Sequence, residues 1–282
     1  MKGRVDGCVE EKADLHMHTT YSDGACTPSE LIANAKQAGL DIISITDHDS
    51  VSGIDEAIEV GKMSGVEVIA GMELSANYDG SEVHILGYFM DHTDKTLVES
   101  LTAFQTARMK RAQRIVDKLN KMNIPLGLDD VLEHVTGDSV GRPHIATALV
   151  NEGHATSYQQ AFNKYIGDGR PAYEQKCHFS PEETIQLIAR SGGLSFLAHP
   201  GRLISEETLL RLINAGLDGI EVVHPAHTPE LMNYYRGIVN EYFLLESGGS
   251  DFHGGNKEDN EALGQYAIPA SCVEMMRRRL VS

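Results

Sequence analysis

Residues 12–24 read KADLHMHTTYSDG and place His16, His18 and Asp23 within eight positions. On a strand, His16 and His18 stand two apart and project from one face. Two imidazoles aimed together are natural metal ligands, although the same pair on an outer surface would simply be solvated. The rest of the chain decides between these readings. His48 ends ITDHD, Glu73 lies in GMELS, His84 in VHILGYF and His199 in LAHP, while Asp251 and His253 close GGSDFH. Each follows or lies in a short apolar run. Chance surface histidines would scatter over helices and loops. Buried charges require partners or metals, and a mixture of imidazole with carboxylate suits divalent transition metals. Metal ligation is therefore the expected chemistry.

The elements that must position these side chains follow a regular rhythm. TPSELIANAKQAGL carries a cap at Thr27 or Ser29 and a stop at Gly39, the marks of a helix between two strands. DIISITDHD, VEVIAGMELS and SEVHILGYF read as strands, and GIDEAIEVGKMSG as a helix. Strands alternating with helices of this length predict a largely parallel sheet. In α/β barrels, active sites are built at the C-terminal ends of the strands. Between residues 94 and 173 the rhythm breaks into a long helical pattern followed by shorter ones. This stretch is expected to be a helical insertion, or lid, on a barrel formed by 10–93 and 174–282.

The insertion contains GRPHIA. Arg142 could grip a phosphate through its planar fork and His144 could give a proton to a leaving oxygen. If Pro143 opens a helix, both residues lie near an N-terminus that favours anions. His224, in EVVHPAHT, is expected to face the site as a substrate contact or general acid, with His227 either behind the site or in solvent. Arg108, Arg111 and Arg114 share one helical stripe. A solvated face with acidic partners is the usual reading, with Arg108 and Arg111 as alternative substrate contacts. Arg202 follows HPG and could reach the site. His92, His134, His154 and His178 are given no function.

Composition narrows the field. The chain has 282 residues, 41% hydrophobic, with a formal net charge of −17. That charge opposes broad nucleic-acid coating but not a phosphorylated ligand in a metal-lined cleft. No segment has the length or apolarity of a membrane span, and the first residues lack the apolar stretch of a secretory signal. Cys8, Cys26, Cys177 and Cys272 are scattered and read as reduced thiols, so a cytoplasmic location is expected. Neither G-x-S-x-G nor a cysteine constellation suggests a covalent nucleophile.

DLHMHTTYSDG, ITDHD, GMELS, HILGYF, LAHPGR and SDFHG, in this order from residue 14 to 254, resemble the PHP (polymerase and histidinol phosphatase) family. The likeness is greatest to its stand-alone bacterial branch of nucleotide phosphoesterases. The resemblance implies a distorted (β/α)7, TIM-like barrel holding two or three divalent ions of manganese, iron or zinc. By motif position, His16, His18, Glu73 and Asp251 would surround the first metal. Glu73, His84 and His199 would hold the second, and Asp23, His48 and His253 the third. The implied reaction is phosphate-ester hydrolysis of a nucleoside 3′,5′-bisphosphate or short 5′-phosphorylated RNA by a metal-bridging hydroxide. Histidinol-phosphate-type or cyclic-phosphate hydrolysis is the alternative. A non-catalytic regulatory barrel is disfavoured by the complete ligand set.

Overall fold

The computed structural model describes residues 10–78, 81–175, 179–202, 204–255 and 261–281. Cys8, Cys177 and His178 lie outside them. Strand β1 (Lys12–Met17) is followed by α1 (Pro28–Gln37), β2 (Ile42–Ile45), α2 (Ile54–Ser64) and β3 (Glu67–Tyr78). Helix α1 begins where expected: Thr27 caps it and exchanges hydrogen bonds with Glu30, and Pro28 sits in the first turn. Its Leu31, Ile32 and Ala35 then face the barrel. All but the first residue of β1 are buried, as expected of a parallel strand covered on both sides. Alternation sends His16 one way and Leu15 and Met17 the other.

β1, β2 and β3 pair in parallel. β4 (Ser81–Tyr88) runs antiparallel to β3, with Tyr78 opposite Ser81. A parallel return would need a crossover of a dozen or more residues, and only two separate these strands, so the reversal is forced. It also carries β3 past Glu73, which lies mid-strand.

The chain then leaves the barrel through α3 (Lys95–Lys121), α4 (Leu128–Leu132), α5 (Arg142–Asn151) and α6 (Tyr158–Ala161), the last continuing as a π-helical turn over Phe162–Ile166. It returns through α7 (Pro181–Arg190), β5 (Leu194–Leu197), α8 (Glu206–Asn214), β6 (Gly219–Val223), α9 (Pro229–Glu241) and β7 (Leu245–Gly248). A short β8 (Ile268–Pro269) leads into α10 (Ala270–Leu280).

Among the described residues the sheet has eight strands in the order β7-β6-β5-β4-β3-β2-β1-β8. It is a nearly closed, TIM-like barrel. β4 and β8 are antiparallel to their neighbours. Where β7 ends beside β1, a Cβ on Gly249 would lie 2.5 Å from the His16 backbone nitrogen, so only glycine permits this approach. Leu97, Leu101 and Phe104, from the first half of α3, join a barrel core containing Met72, Leu74, Ile85 and Leu197. Ala112, Ile115, Val116 and Leu119, from its second half, belong to another core with Val131, Ile145, Leu149 and Ile166. At about 1.5 Å per residue this helix is some 40 Å long, enough to serve both.

The junction corrects one expectation. Arg108 and Arg111 do not lie on a solvated face: they are 5% and 4% exposed. The Arg108 Nε donates to Asp49 Oδ2 at 2.5 Å and its Nη2 to Ser75 Oγ at 3.1 Å. Arg111 Nε donates to the Glu174 carbonyl at 2.7 Å. Only Arg114 stays largely exposed, paired with Glu174. An inward arginine stripe at a junction of cores has the same spacing as a solvated one, so spacing alone misleads. Among the described residues, no helix is long and apolar enough to cross a membrane.

Candidate metal centre

The nine side chains singled out in the sequence converge at the C-terminal mouth of the barrel. His16 and His18 do share a face, their ring centroids 5.2 Å apart. Glu73 enters from β3 and lies among the imidazoles. Its Oε1 is 2.8 Å from His84 Nδ1 and 2.9 Å from His199 Nε2. Its Oε2 is 3.1 Å from His48 Nδ1 and 3.4 Å from the Nε2 atoms of both His16 and His18. Asp251 Oδ1 approaches those same two Nε2 atoms at 3.2 Å. Asp23 stands between His18, His48 and His253 at 3.4–3.8 Å. His199 and Asp251 both adopt positive φ, 27° and 51°, a conformation uncommon outside glycine that Asp and His reach more readily than most side chains.

Among the described residues, ligand-capable atoms fall into four overlapping clusters: His18, Asp23, His48 and His253; His16, His224 and Asp251; His16, Glu73 and His199; and His48, Glu73 and His84. Their chemistry fits divalent ions. His16 Nε2, both ring nitrogens of His18 and His48 Nδ1 are buried with no hydrogen-bond partner, a costly arrangement unless something else takes their lone pairs. His224 was expected to be a substrate contact or acid, and it lies among these donors. Its Nε2 is 3.4 Å from Asp251 Oδ2, while the Ala226 amide donates to its Nδ1 at 3.1 Å.

Charge is strongly coupled here. Burial alone would raise Glu73, but His48, His84 and His16 outweigh it and hold its carboxyl well below the usual range. Burial disfavours a charged His253, yet Asp23 and Asp251 raise it to about 10. At His48 burial wins and lowers the ring to about 3.

A set of buried acids escaped the sequence reading because each looks like an ordinary strand or loop residue. Glu221, on β6, lies with Oε1 2.8 Å from His16 Nδ1 and accepts the His199 amide on Oε2 at 2.6 Å. Asp47 accepts the Thr19 amide at 2.8 Å and the Thr19 and Ser22 hydroxyls at 2.6 Å each, which pins the loop carrying Asp23. Asp14 accepts the His16 and Ser250 amides. The signal that could have exposed Glu221 is strand alternation: in GIEVV it shares a face with Val223 and precedes His224 by three residues. His227 is buried and braces the His199 loop, accepting the Gly201 amide on Nε2 at 3.1 Å.

A cleft of about 720 Å³ leads away from Asp23 and His253 beneath the insertion, lined also by His134, His144, Thr147 and Tyr158. His144 takes the Gly141 amide on Nδ1 at 3.0 Å, and its ring also hydrogen-bonds the Ser22 backbone while burial lowers its pKa. It thus ties α5 to the loop beside Asp23. Arg142 lies away from the lining of this cleft. Its Nη1 donates to Asp168 at 2.5 Å, and its guanidinium stands 5.8 Å from the Phe162 ring centroid and 5.6 Å from that of Tyr173. Arg202 is exposed on a separate cleft of about 350 Å³ beside α9.

With this geometry in hand, the match to the PHP domain over residues 14–170 is decisive. The chain belongs to the PHP family. It is 35% identical to a 5′-3′ exoribonuclease of Haemophilus influenzae over 87% of this chain and 91% of that one. It is 30% identical to a 3′,5′-nucleoside bisphosphate phosphatase of Chromobacterium violaceum over 94% and 95% of the two chains. A Bifidobacterium adolescentis crystal structure, classed provisionally as a metal-dependent phosphoesterase, superposes with a TM-score of 0.88 at 33% identity, covering 95% of this chain and 96% of that one. As a PHP protein the chain is a metal-dependent phosphoric ester hydrolase; by name, the two relatives above act on RNA and on nucleoside bisphosphates.

Proposed function

We propose that this PHP enzyme hydrolyses a phosphate ester of a nucleotide, with nucleoside 3′,5′-bisphosphate the leading substrate and a short 5′-phosphorylated RNA end the next. The observation that carries the reading is the joining of the donor cluster to the cleft beneath the insertion. The cluster accounts for ester hydrolysis, and the cleft has room for more than a phosphate. His16, His18, Asp23, His48, Glu73, His84, His199, Asp251 and His253 would hold two or three divalent ions of manganese, iron or zinc. Bound there, such ions lower the pKa of coordinated water and offset charge on the phosphoryl oxygens.

The remaining work belongs to the chain itself. His224, its Nδ1 occupied by the Ala226 amide, presents Nε2 to the reacting space and is assigned as proton donor to the leaving oxygen. His144 and the 94–173 insertion close the cleft over the substrate and exclude water. Arg142, fixed by Asp168, acts through the lid and not as a direct phosphate clamp. Arg108 and Arg111 hold the lid to the barrel. A cytoplasmic location is in keeping with the free Cys26 and Cys272 and a nucleotide substrate.

The test is to load the protein with manganese and measure phosphate and mononucleotide release. The panel comprises nucleoside 3′,5′-bisphosphates, short 5′-phosphorylated RNA, cyclic phosphates and histidinol phosphate. Release is expected to be fastest from a nucleoside 3′,5′-bisphosphate. Absence of turnover on every compound, with bound metal verified, would eliminate the proposal.

A further inference from the structure

Tyr158 is a large aromatic left 47% exposed on the cleft that adjoins Asp23 and His253. Its surroundings hold the ring in place. Phe162, one helical turn on, packs against it with centroids 5.0 Å apart. Phe162 is in turn backed by Arg142, itself tethered to Asp168. This chain of contacts, Asp168 to Arg142 to Phe162 to Tyr158, keeps one aromatic surface turned toward the cleft. The phenol end lies in the field of Asp23 and Arg142, and its hydroxyl makes no hydrogen bond among the described residues.

Much of the lining contributed by the barrel carries little or no side chain: Gly24, Ala25, Gly254 and Gly255. Gly254 and Gly255 have φ of 74° and 83°, which other residues seldom adopt. A cleft with a fixed aromatic ring in the lid and bare backbone along the barrel loops suits a flat ring. Beside it stand Asp23 and His253, two of the residues proposed to hold a metal ion that a phosphate would meet.

We propose that Tyr158 is the stacking wall of a nucleobase slot, with Gly24, Gly254 and Gly255 as its floor, so that the substrate is a phosphate carrying an aromatic base. This deepens the nucleotide reading above and rests on it for the placement of the phosphate. The slot accepts any base, because stacking uses the π-face and no hydrogen-bond code.

The experiment uses the full chain, metal-loaded, as wild type, Tyr158→Ala and Tyr158→Phe. Calorimetry gives the affinity for adenosine 5′-monophosphate and for inorganic phosphate. Phosphate release from adenosine 3′,5′-bisphosphate and from base-free ribose 5-phosphate gives the corresponding kcat/KM values. Loss of the ring should weaken nucleotide binding by about 5- to 150-fold, the range that aromatic–base stacking supplies. Inorganic phosphate affinity, metal content and turnover of ribose 5-phosphate should stay within twofold. Tyr158→Phe should retain nucleotide affinity to within a fewfold.

The slot is overturned if wild type does not bind the nucleotide, if Tyr158→Ala binds it as well as wild type, or if nucleotide and phosphate weaken together. A wild type that binds the nucleotide through Tyr158 but hydrolyses no ester would sink the phosphoesterase reading and leave the slot standing. One that hydrolyses esters indifferently to Tyr158 would do the reverse.

Discussion

At the scale of single residues, the carboxylate behind the donors is as telling as the donors themselves. Glu221 is fully buried and serves two of the proposed ligands at once, His16 through its ring and His199 through its amide. A carboxylate on Nδ1 fixes the tautomer, so that Nε2 keeps its lone pair for a metal. Glu221→Gln preserves the volume but not the charge. It should lower metal affinity about 10- to 100-fold, as loss of such outer partners commonly does. Competition against a chromophoric chelator measures this, with circular dichroism confirming that the variant folds; affinity equal to wild type would refute the assignment. The contrast with the ligands shows what a sequence reveals. His16, His18, His48 and His199 stand out because imidazole is rare at strand tips. Glu221 is one acid among 41 acidic residues, and only the fold places it behind His16.

At the scale of elements, the alternation of strands and helices was readable because each helix has to bury one face on the sheet. The direction of β4 was not assigned, although the shortness of its connection to β3 already forbids a parallel return. The role of α3 could not be read from spacing. Arg108 finds its partner Asp49 at 59 residues' separation, and nothing local announces that contact. The pair is buried and joins the lid to the residue following His48. Removing one member of a buried pair leaves an uncompensated charge, typically costing about 3–5 kcal/mol. Arg108→Met should therefore lose roughly that much stability in urea unfolding. Adding Asp49→Asn to it should recover part of the loss, since the stranded charge is gone. If Arg108 were instead a substrate contact on an open face, Arg108→Met would cost under about 1 kcal/mol and would chiefly raise KM. Such a result would return it to the binding surface.

At the scale of the whole molecule, two kinds of core are joined by one helix. The core shared by the second half of α3 with α4, α5 and α6 buries Leu149, Ile145 and Ile166 almost completely. The donor cluster belongs to the barrel, and four of its buried ring nitrogens, on His16, His18 and His48, have no hydrogen-bond partner among the described residues. Ligand binding to the native state alone stabilises it by mass action, by about 4 kcal/mol at a thousandfold excess over Kd. The two parts should therefore respond to different perturbations in native-state hydrogen exchange. Leu149→Ala, which empties a buried site at a cost of about 2–5 kcal/mol, should speed exchange in α5 while β1 and β6 keep their protection. Chelation should do the opposite, exposing the amides at the ends of β1, β3 and β7 while α5 is unchanged. The lid would then be a separate cooperative unit that can open over the cleft without loosening the metal ligands. If either perturbation raises exchange equally in both regions, lid and barrel unfold as one body, and substrate entry has to occur through motions smaller than lid opening.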